Sequence, residues 1–212
     1  MQRIRISSIE PTTIAPELFE RMDDPGHSLL PYLHIPLQSG SDRILKQMRR
    51  RYTVTEYLNF IEKAQASITD LCLGTDIMVG HPGETKADFE ETCRVFMESP
   101  LAYSHVFPYS ERPGTLAVQQ AGSVPPPERH YRSAQLRRLS TQKRTQYYQK
   151  FLGRELDVLF ENKIQDAWSG YTANFIRVRC PSPTSHDLSN QILSVRLESI
   201  CADFVEASLI DN

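Results

Sequence analysis

The chain has 212 residues, 40% of them hydrophobic and 24% charged, with a formal net charge of −2 at pH 7, enough for one sizeable core and a second small one. No run of about 18 apolar residues is present to cross a bilayer, and Met1-Gln-Arg-Ile-Arg-Ile lacks a signal-peptide core, so a cytoplasmic location without membrane partners is expected. Cys72, Cys93, Cys180 and Cys201 form no C-x-x-C string; no zinc site or iron–sulfur cluster is legible in them, and they read as small buried hydrophobes in a reducing compartment.

In chain order, residues 3–7 alternate and predict a strand, and Pro16 stands at the first position of an amphipathic helix over 16–22. A second strand follows at 32–37. Ser41 is a suitable N-cap for a helix with Ile44, Leu45 and Met48 on one face, and a further helix is expected over 55–66. Residues 71–79 form a mostly apolar strand of the buried parallel type. Thr85 and Asp88 have the spacing of a capping box, opening a helix with Phe89, Cys93 and Phe96 inside, and 102–107 is a fourth strand. This fourfold alternation predicts right-handed crossovers and a parallel sheet. Four units cannot close an eight-stranded barrel, which takes about 250 residues, so this stretch predicts part of one.

After Gly114 the chain reads as a loop through the prolines 125–127, then as a long helix over 127–152 ended by Gly153. Short β-rich runs at 155–160, 171–179, 191–197 and 204–210 then predict a small OB-like barrel. The expected division is a partial (β/α) barrel over 1–125, a basic linking helix over 126–153 and an all-β domain over 154–212. Residues 126–153 hold seven basic side chains against the single acid Glu128, a net +6, whereas the stretches on either side are each −4. Any phosphate-binding face is expected to centre there, on residues such as Arg137, Arg138, Lys143 and Arg144.

Strand alternation puts Tyr32, His34, Pro36 and Gln38 on one face and Leu33, Ile35 and Leu37 on the other. Gln38 at the carboxyl end, with the forked cation Arg50 one helix downstream, could hold a small zwitterion such as an amino acid. On the residues alone, the preferred reading is a loop cap for Gln38 and membership of the solvated run 46–51 for Arg50. Asp76 inside an apolar strand needs a partner if buried, and could serve structure or cofactor. His81 reads as a catalytic group or an incidental loop histidine. Tyr109 and Ser110 are site candidates or strand-end packing, as are Ser7 and Glu10. Tyr171 and Phe175 could stack on bases while Arg177 and Arg179 meet phosphates; alternatively the aromatics are core.

Three strings, His34-Ile-Pro-Leu-Gln-Ser-Gly-Ser41, Thr75-Asp-Ile-Met-Val-Gly-His-Pro-Gly-Glu-Thr85 and Phe107-Pro-Tyr-Ser-Glu-Arg-Pro-Gly-Thr115, together resemble the second half of the radical-SAM methylthiotransferases, which insert a methylthio group into tRNA or a ribosomal protein. The resemblance implies that Gln38 and Arg50 approach the methionine end of S-adenosylmethionine, with Ser39 and Asp76 as further cofactor candidates. It implies further that Gly80 and Tyr109 lie near the adenosine. His81 stands where the family usually has Phe. Residues 152–159 and 170–179 are similar to the RNA-binding TRAM domain, although the −4 charge after residue 153 departs from an RNA-binding barrel. Arg-Ile-Ser-Ser-Ile-Glu-Pro11, His34-Ile-Pro-Leu and Ser104-His-Val-Phe-Pro-Tyr-Ser resemble most the enzyme acting on N6-threonylcarbamoyladenosine at tRNA position 37, with the isopentenyladenosine and ribosomal-protein enzymes as near alternatives.

The resemblance also implies [4Fe–4S] clusters whose cysteines lie upstream of the strand matched by 3–7. The expectation is therefore a chain lacking those ligands: a partial product, one half of a split enzyme with a separate chain supplying the clusters, or a non-catalytic RNA-binding remnant. It would be inactive in radical chemistry alone. A barrel enzyme for another phosphate substrate finds no P-loop string or compact carboxylate pair to support it.

Overall fold

A computed structural model describes residues 2–11, 14–15, 17–181 and 187–210. In chain order the elements are α1 (Glu17–Asp23), β1 (Tyr32–His34), α2 (Asp42–Gln47), α3 (Val54–Ser67), β2 (Cys72–Val79), α4 (Lys86–Glu98), β3 (Tyr103–Pro108), α5 (Pro126–Gln149), β4 (Glu155–Ile164), β5 (Ala167–Thr172), β6 (Arg177–Pro181), β7 (Ile192–Cys201) and β8 (Phe204–Leu209). Pro16, the expected first residue of α1, lies outside the described residues.

The first half is an α/β layer on a three-stranded parallel sheet in the order β1-β2-β3. Leu33, Ile35, Leu37, Ile77 and Val79 turn one face of it inward, where Tyr57 and Ile61 of α3, Phe96 of α4 and Leu136 of α5 bury them. The opposite face is barer: Asp76 and Met78 are half-buried, and His105 and Phe107 are exposed.

Residues 3–7 do not form the strand expected there. Among the described residues their backbone pairs only at Ile4, through an isolated parallel bridge to Leu29 ahead of β1; the next contact is the Ile9 N–H to the His34 carbonyl of β1, 3.1 Å. Alternation makes a strand possible, but a ladder needs a partner in register along its length. Arg3 and Arg5 instead reach the carbonyls of Asp157, Tyr171 and Thr172. β1 likewise ends at His34 rather than Leu37. Pro36 has no N–H to donate, and the chain rejoins the sheet at Gln38, which bridges Ile77 with φ +68°.

Both α3 and α4 begin with complete capping boxes, Thr53 with Glu56 and Thr85 with Asp88. Ser41 occupies the N-cap position of α2 but makes no side-chain cap bond; its hydroxyl donates to Asp88 at 2.7 Å. Asp88 thereby also receives Arg43 and the Thr85 N–H. Burial works to raise its pKa, yet these donors outweigh it and hold the carboxyl well below the usual range. A carboxylate depressed on folding contributes stability above its unfolded pKa of about 4 and loses it as pH falls below that value. Acid titration of Asp88→Asn is therefore expected to lack about 2 kcal/mol of the parent's stability loss between pH 4 and pH 2. Parallel curves for the two proteins would refute this hub.

The second half is a closed five-stranded barrel in the order β4-β5-β6-β8-β7, closed by the parallel pair β6–β8. Val158, Phe160, Val178, Cys180, Val195, Leu197 and Val205 fill it, all fully buried. The strand expected over 171–179 is in fact two. Thr172-Ala-Asn-Phe-Ile176 turns the chain, with Phe175 at φ +64° and the Thr172 hydroxyl bonded to Asn174; without Gly or Pro, Asn174 alone marks the turn in the sequence. The barrel core continues into Tyr32, Cys72, Ala102 and Tyr103. The barrel therefore packs on the amino ends of β1, β2 and β3, leaving their carboxyl ends to the loops.

Candidate functional site

Three loops leave the sheet side by side at those carboxyl ends. The Gln38 N–H donates to the Asp76 carbonyl (2.8 Å), the Met78 N–H to Gln38 (2.9 Å) and the Tyr109 N–H to Val79 (2.8 Å), so Gln38, Met78 and Tyr109 are held in adjacent positions. They line a cavity of about 310 Å³ whose other walls include Gln47, Met48, Arg50, His81 and Gln120. This is the edge at which parallel sheets bind ligands. A larger cleft of about 550 Å³ opens at the opposite end, between Arg3, Asp23 and His27 and the barrel residues Asp157 and Asn174; it meets no strand-end loop of this kind.

Two features distinguish the residues that line the smaller cavity. Two groups on these residues, the hydroxyl of Tyr109 and the amide oxygen of Gln120, are buried without a hydrogen-bond partner among the described residues, which costs free energy. Gln38 and Arg49 both sit in the left-handed region, at φ +68° and +58°, a conformation that costs energy in non-glycine residues and clusters at binding sites. Arg50 lines the wall while its guanidinium pairs with Glu10 at 3.0 Å. His81 is buried: its Nδ1–H donates to the Pro82 carbonyl at 3.0 Å, and its ring meets Tyr109 edge-on. Burial lowers its pKa, which favours a neutral ring despite the opposing bond to Pro82.

Other expected site residues fall elsewhere. Ser39 is fully buried beneath the loop, 3.4 Å from the Thr92 hydroxyl, and does not line the cavity. Gly80, at φ +75°, gives its space to α5: an added Cβ would lie 2.5 Å from Cγ of Arg129. Asp76 is one strand repeat below Met78 on the open face, between His34 (2.9 Å) and His105 (3.4 Å). Burial and the neighbouring His34 lower the pKa of His105 against the pull of Asp76.

The basic helix also divides. Arg129, Arg132 and Lys143 are buried. Lys143, expected on a phosphate face, instead caps the end of α4 by donating to the carbonyls of Met97 and Ser99, because it lies on the face of α5 that packs on the layer. Arg137 and Arg138 are exposed. Arg144 lies over the Tyr103 ring and shares with Tyr171, Phe175 and Arg177 a cleft of about 180 Å³ between sheet and barrel. Tyr171 and Phe175 stack there at 4.9 Å. Arg177 pairs with Asp203, while Arg179 lies over Phe204 outside the cleft.

The positional residues that charge pattern did not reveal are Arg129, Arg132 and Glu84. Arg129 donates to the carbonyls of Val124 and Tyr109 and pairs with Glu111. Arg132 pairs with Glu84, whose same oxygen accepts the Gly80 N–H at 2.6 Å. Together they clamp the loops behind the cavity.

Residues 2–96 match the Radical SAM superfamily. The chain is 35% identical over its whole length to the tRNA-2-methylthio-N(6)-dimethylallyladenosine synthase of Anaplasma phagocytophilum, covering 48% of that protein. Over 79% of the chain it is 39% identical to the same-named enzyme of Chloroflexus aurantiacus, covering 36% of it. Over 93% it is 33% identical to the threonylcarbamoyladenosine tRNA methylthiotransferase MtaB of Bacillus subtilis, covering 44% of it. The coproporphyrinogen III oxidase HemN of Escherichia coli, a radical SAM enzyme, shares the fold over 81% of this chain and 46% of its own, with a TM-score of 0.52 and 15% identity. The chain thus spans about half or less of the length of these curated relatives, and within that span it is similar to radical-SAM tRNA methylthiotransferases.

Proposed function

We propose that this chain carries the S-adenosylmethionine-holding edge and the RNA-contacting part of a tRNA methylthiotransferase. On this reading 1–125 is the carboxyl-side part of a radical-SAM barrel, 126–153 its linking helix and 154–212 a TRAM domain. The observation that carries it is the cavity at the carboxyl ends of β1, β2 and β3, lined by the polar side chains of Gln38, Arg50, His81 and Tyr109. Those groups suit a polar ligand. Gln38 and Arg50 would take the amino-acid end, while Tyr109 and His81 would flank the apolar and aromatic remainder.

When bound in a complete enzyme of the family, S-adenosylmethionine supplies the methyl group and the deoxyadenosyl group. The [4Fe–4S] clusters do not fit these residues. Cys72 and Cys180 are buried, all four cysteines are free, and the single group of three close metal-ligating side chains among the described residues contains no thiol. Burial pushes the Cys72 thiol up to about 12, far from a ligating thiolate. The clusters would be held by residues outside this set, on this protein or a separate chain. This chain's own part is to bind and orient, excluding water with Met48 and Met78. Arg144 and Arg177, with the stacked pair Tyr171 and Phe175, would meet tRNA phosphates and unstacked bases, and Arg137 and Arg138 extend that surface along α5.

Equilibrium dialysis of S-adenosylmethionine with the purified chain is expected to give saturable binding, weakened at least about tenfold by Arg50→Ala or Gln38→Ala with the circular dichroism unchanged. Indifference to both substitutions would overturn the cofactor assignment. For RNA, Arg144→Gln and Arg177→Gln are each expected to lower the salt slope of tRNA binding by about one. For the target nucleoside, N6-threonylcarbamoyladenosine is our reading. Mass spectrometry of tRNA from cells lacking the gene should show loss of its methylthio group; loss from isopentenyladenosine instead would reassign the substrate.

A further inference from the structure

The open face of the parallel sheet carries a cluster that the cofactor cavity does not use. We propose that His34, Asp76 and His105 form a binding site for a divalent cation of the Zn²⁺ class. The three side chains come from three adjacent strands, β1, β2 and β3. Asp76 is in direct register with His105, and His34 pairs with Gly74 two residues before Asp76. Each offers one ligand atom, and all three atoms lie within 4.8 Å of one another.

The spacing suits a metal sphere. Zinc binds imidazole nitrogen at about 2.0–2.1 Å and carboxylate oxygen at about 2.0–2.2 Å, so adjacent donors on it stand roughly 2.9–3.5 Å apart. The two distances to Asp76 Oδ1 are 2.9 Å from His34 Nε2 and 3.4 Å from His105 Nδ1. The two imidazoles stack at 5.2 Å, so a small rotation of the outer ring would bring all three donors onto one ion.

Burial is graded across the set. The His34 side chain is 7% exposed, Asp76 20% and His105 54%. Two ligands are therefore fixed by the sheet, and the third closes the site from solvent. Such a site has three protein ligands and an open position, the arrangement of catalytic rather than structural zinc centres. Two imidazoles and one carboxylate also suit first-row metals from Fe²⁺ to Zn²⁺ and are a poor set for Mg²⁺ or Ca²⁺, which take oxygen ligands. The position is one strand repeat below Met78 on the same face, so an ion there would lie beneath the floor of the cofactor cavity.

The test is titration of the purified, metal-stripped chain with Co²⁺, read by visible absorption, and with Zn²⁺, read by calorimetry. One equivalent is expected, with d–d bands of a nitrogen and oxygen site and no thiolate charge-transfer band. His105→Gln removes a solvent-facing ligand, so folding is retained; affinity should fall at least about tenfold. His34→Gln and Asp76→Asn should do the same, with circular dichroism confirming their folds. Unchanged affinity in His105→Gln, a thiolate band, or no saturable binding by the parent would each overturn the site. No S-adenosylmethionine enters the measurement, so its failure leaves the cofactor reading to its own experiment.

Discussion

Gly170→Ala is expected to unfold the barrel at denaturant concentrations the parent withstands, at a cost of about 3 kcal/mol or more. Gly170 lies in β5 opposite Phe160 of β4, beside the register shift between Phe160 and Asn162. An added Cβ would stand 2.2 Å from the Leu159 carbonyl oxygen, 2.8 Å from its carbon and 2.8 Å from Cγ1 of Val158. The first two are backbone atoms, and β4 is paired on both sides, to β5 and β7, so it cannot retreat without breaking a second ladder. The close approach is the reason for glycine in this strand. With typical domain stability of about 5–15 kcal/mol, this is a large share. The single tryptophan, Trp168, is buried two residues away in the same strand, so urea unfolding followed by its fluorescence reports the barrel directly. A midpoint within about 1 kcal/mol of the parent would mean that β4 yields and that the contact is soft. Tyr171 follows Gly170 directly, so the stacked pair in the cleft should be disturbed even where the variant folds.

Arg132→Met is the second large effect, with an expected loss of about 3–5 kcal/mol at neutral pH. The Glu84 side chain is 0% exposed and that of Arg132 6%. One carboxylate oxygen takes both the Arg132 guanidinium and the Gly80 N–H, each at 2.6 Å. Removing the arginine leaves a buried charge with too few donors. Burial already pushes the Glu84 carboxyl up, with Arg132 and the Gly80 N–H pulling the other way; without Arg132 it rises further. A carboxyl whose folded pKa exceeds its unfolded value costs stability as pH rises through that interval, so the loss should shrink towards pH 5. A pH-independent loss would place the damage in packing against Phe89, over which the guanidinium lies. Glu84→Gln, which retains an acceptor for Gly80, should cost less. Because Glu84 anchors the loop leading from Gly80 to His81, Arg132→Met should also weaken ligand binding in the cavity.

The burial of these groups explains what the chain order did and did not disclose. The capping boxes at Thr53 and Thr85 and the apolar run of β2 depend on residues within a few positions of one another, and the Thr85 box and β2 were legible from pattern alone. The start of α5 was as well, because prolines open it; its end, expected at Leu152, comes at Gln149, and Gly153, at φ +78°, lies in the turn beyond. The buried side of α5, in contrast, carries Arg129, Arg132, Ser133, Ser140 and Lys143 alongside Leu136 and Tyr147. A polar buried face has no apolar stripe, so its cations read as a solvent surface. In the sequence His81 stays open between a catalytic group and an incidental loop histidine, because only the arrangement of Pro82 and Tyr109 around it buries the ring.

By itself the sequence determined where helices and most strands run, which strand-end loops carry polar groups and which family the chain resembles, since these rest on local spacing and residue type. Tertiary structure alone decided that residues 3–7 pair only at Ile4, that 171–179 turns at Phe175, and that Lys143 caps α4. It also decided that Asp76 stands between two histidines 42 and 29 positions away. The reason is common to all four. Pairing, capping and ligand geometry depend on which distant backbone or side chain arrives alongside, and that is settled when the layers pack.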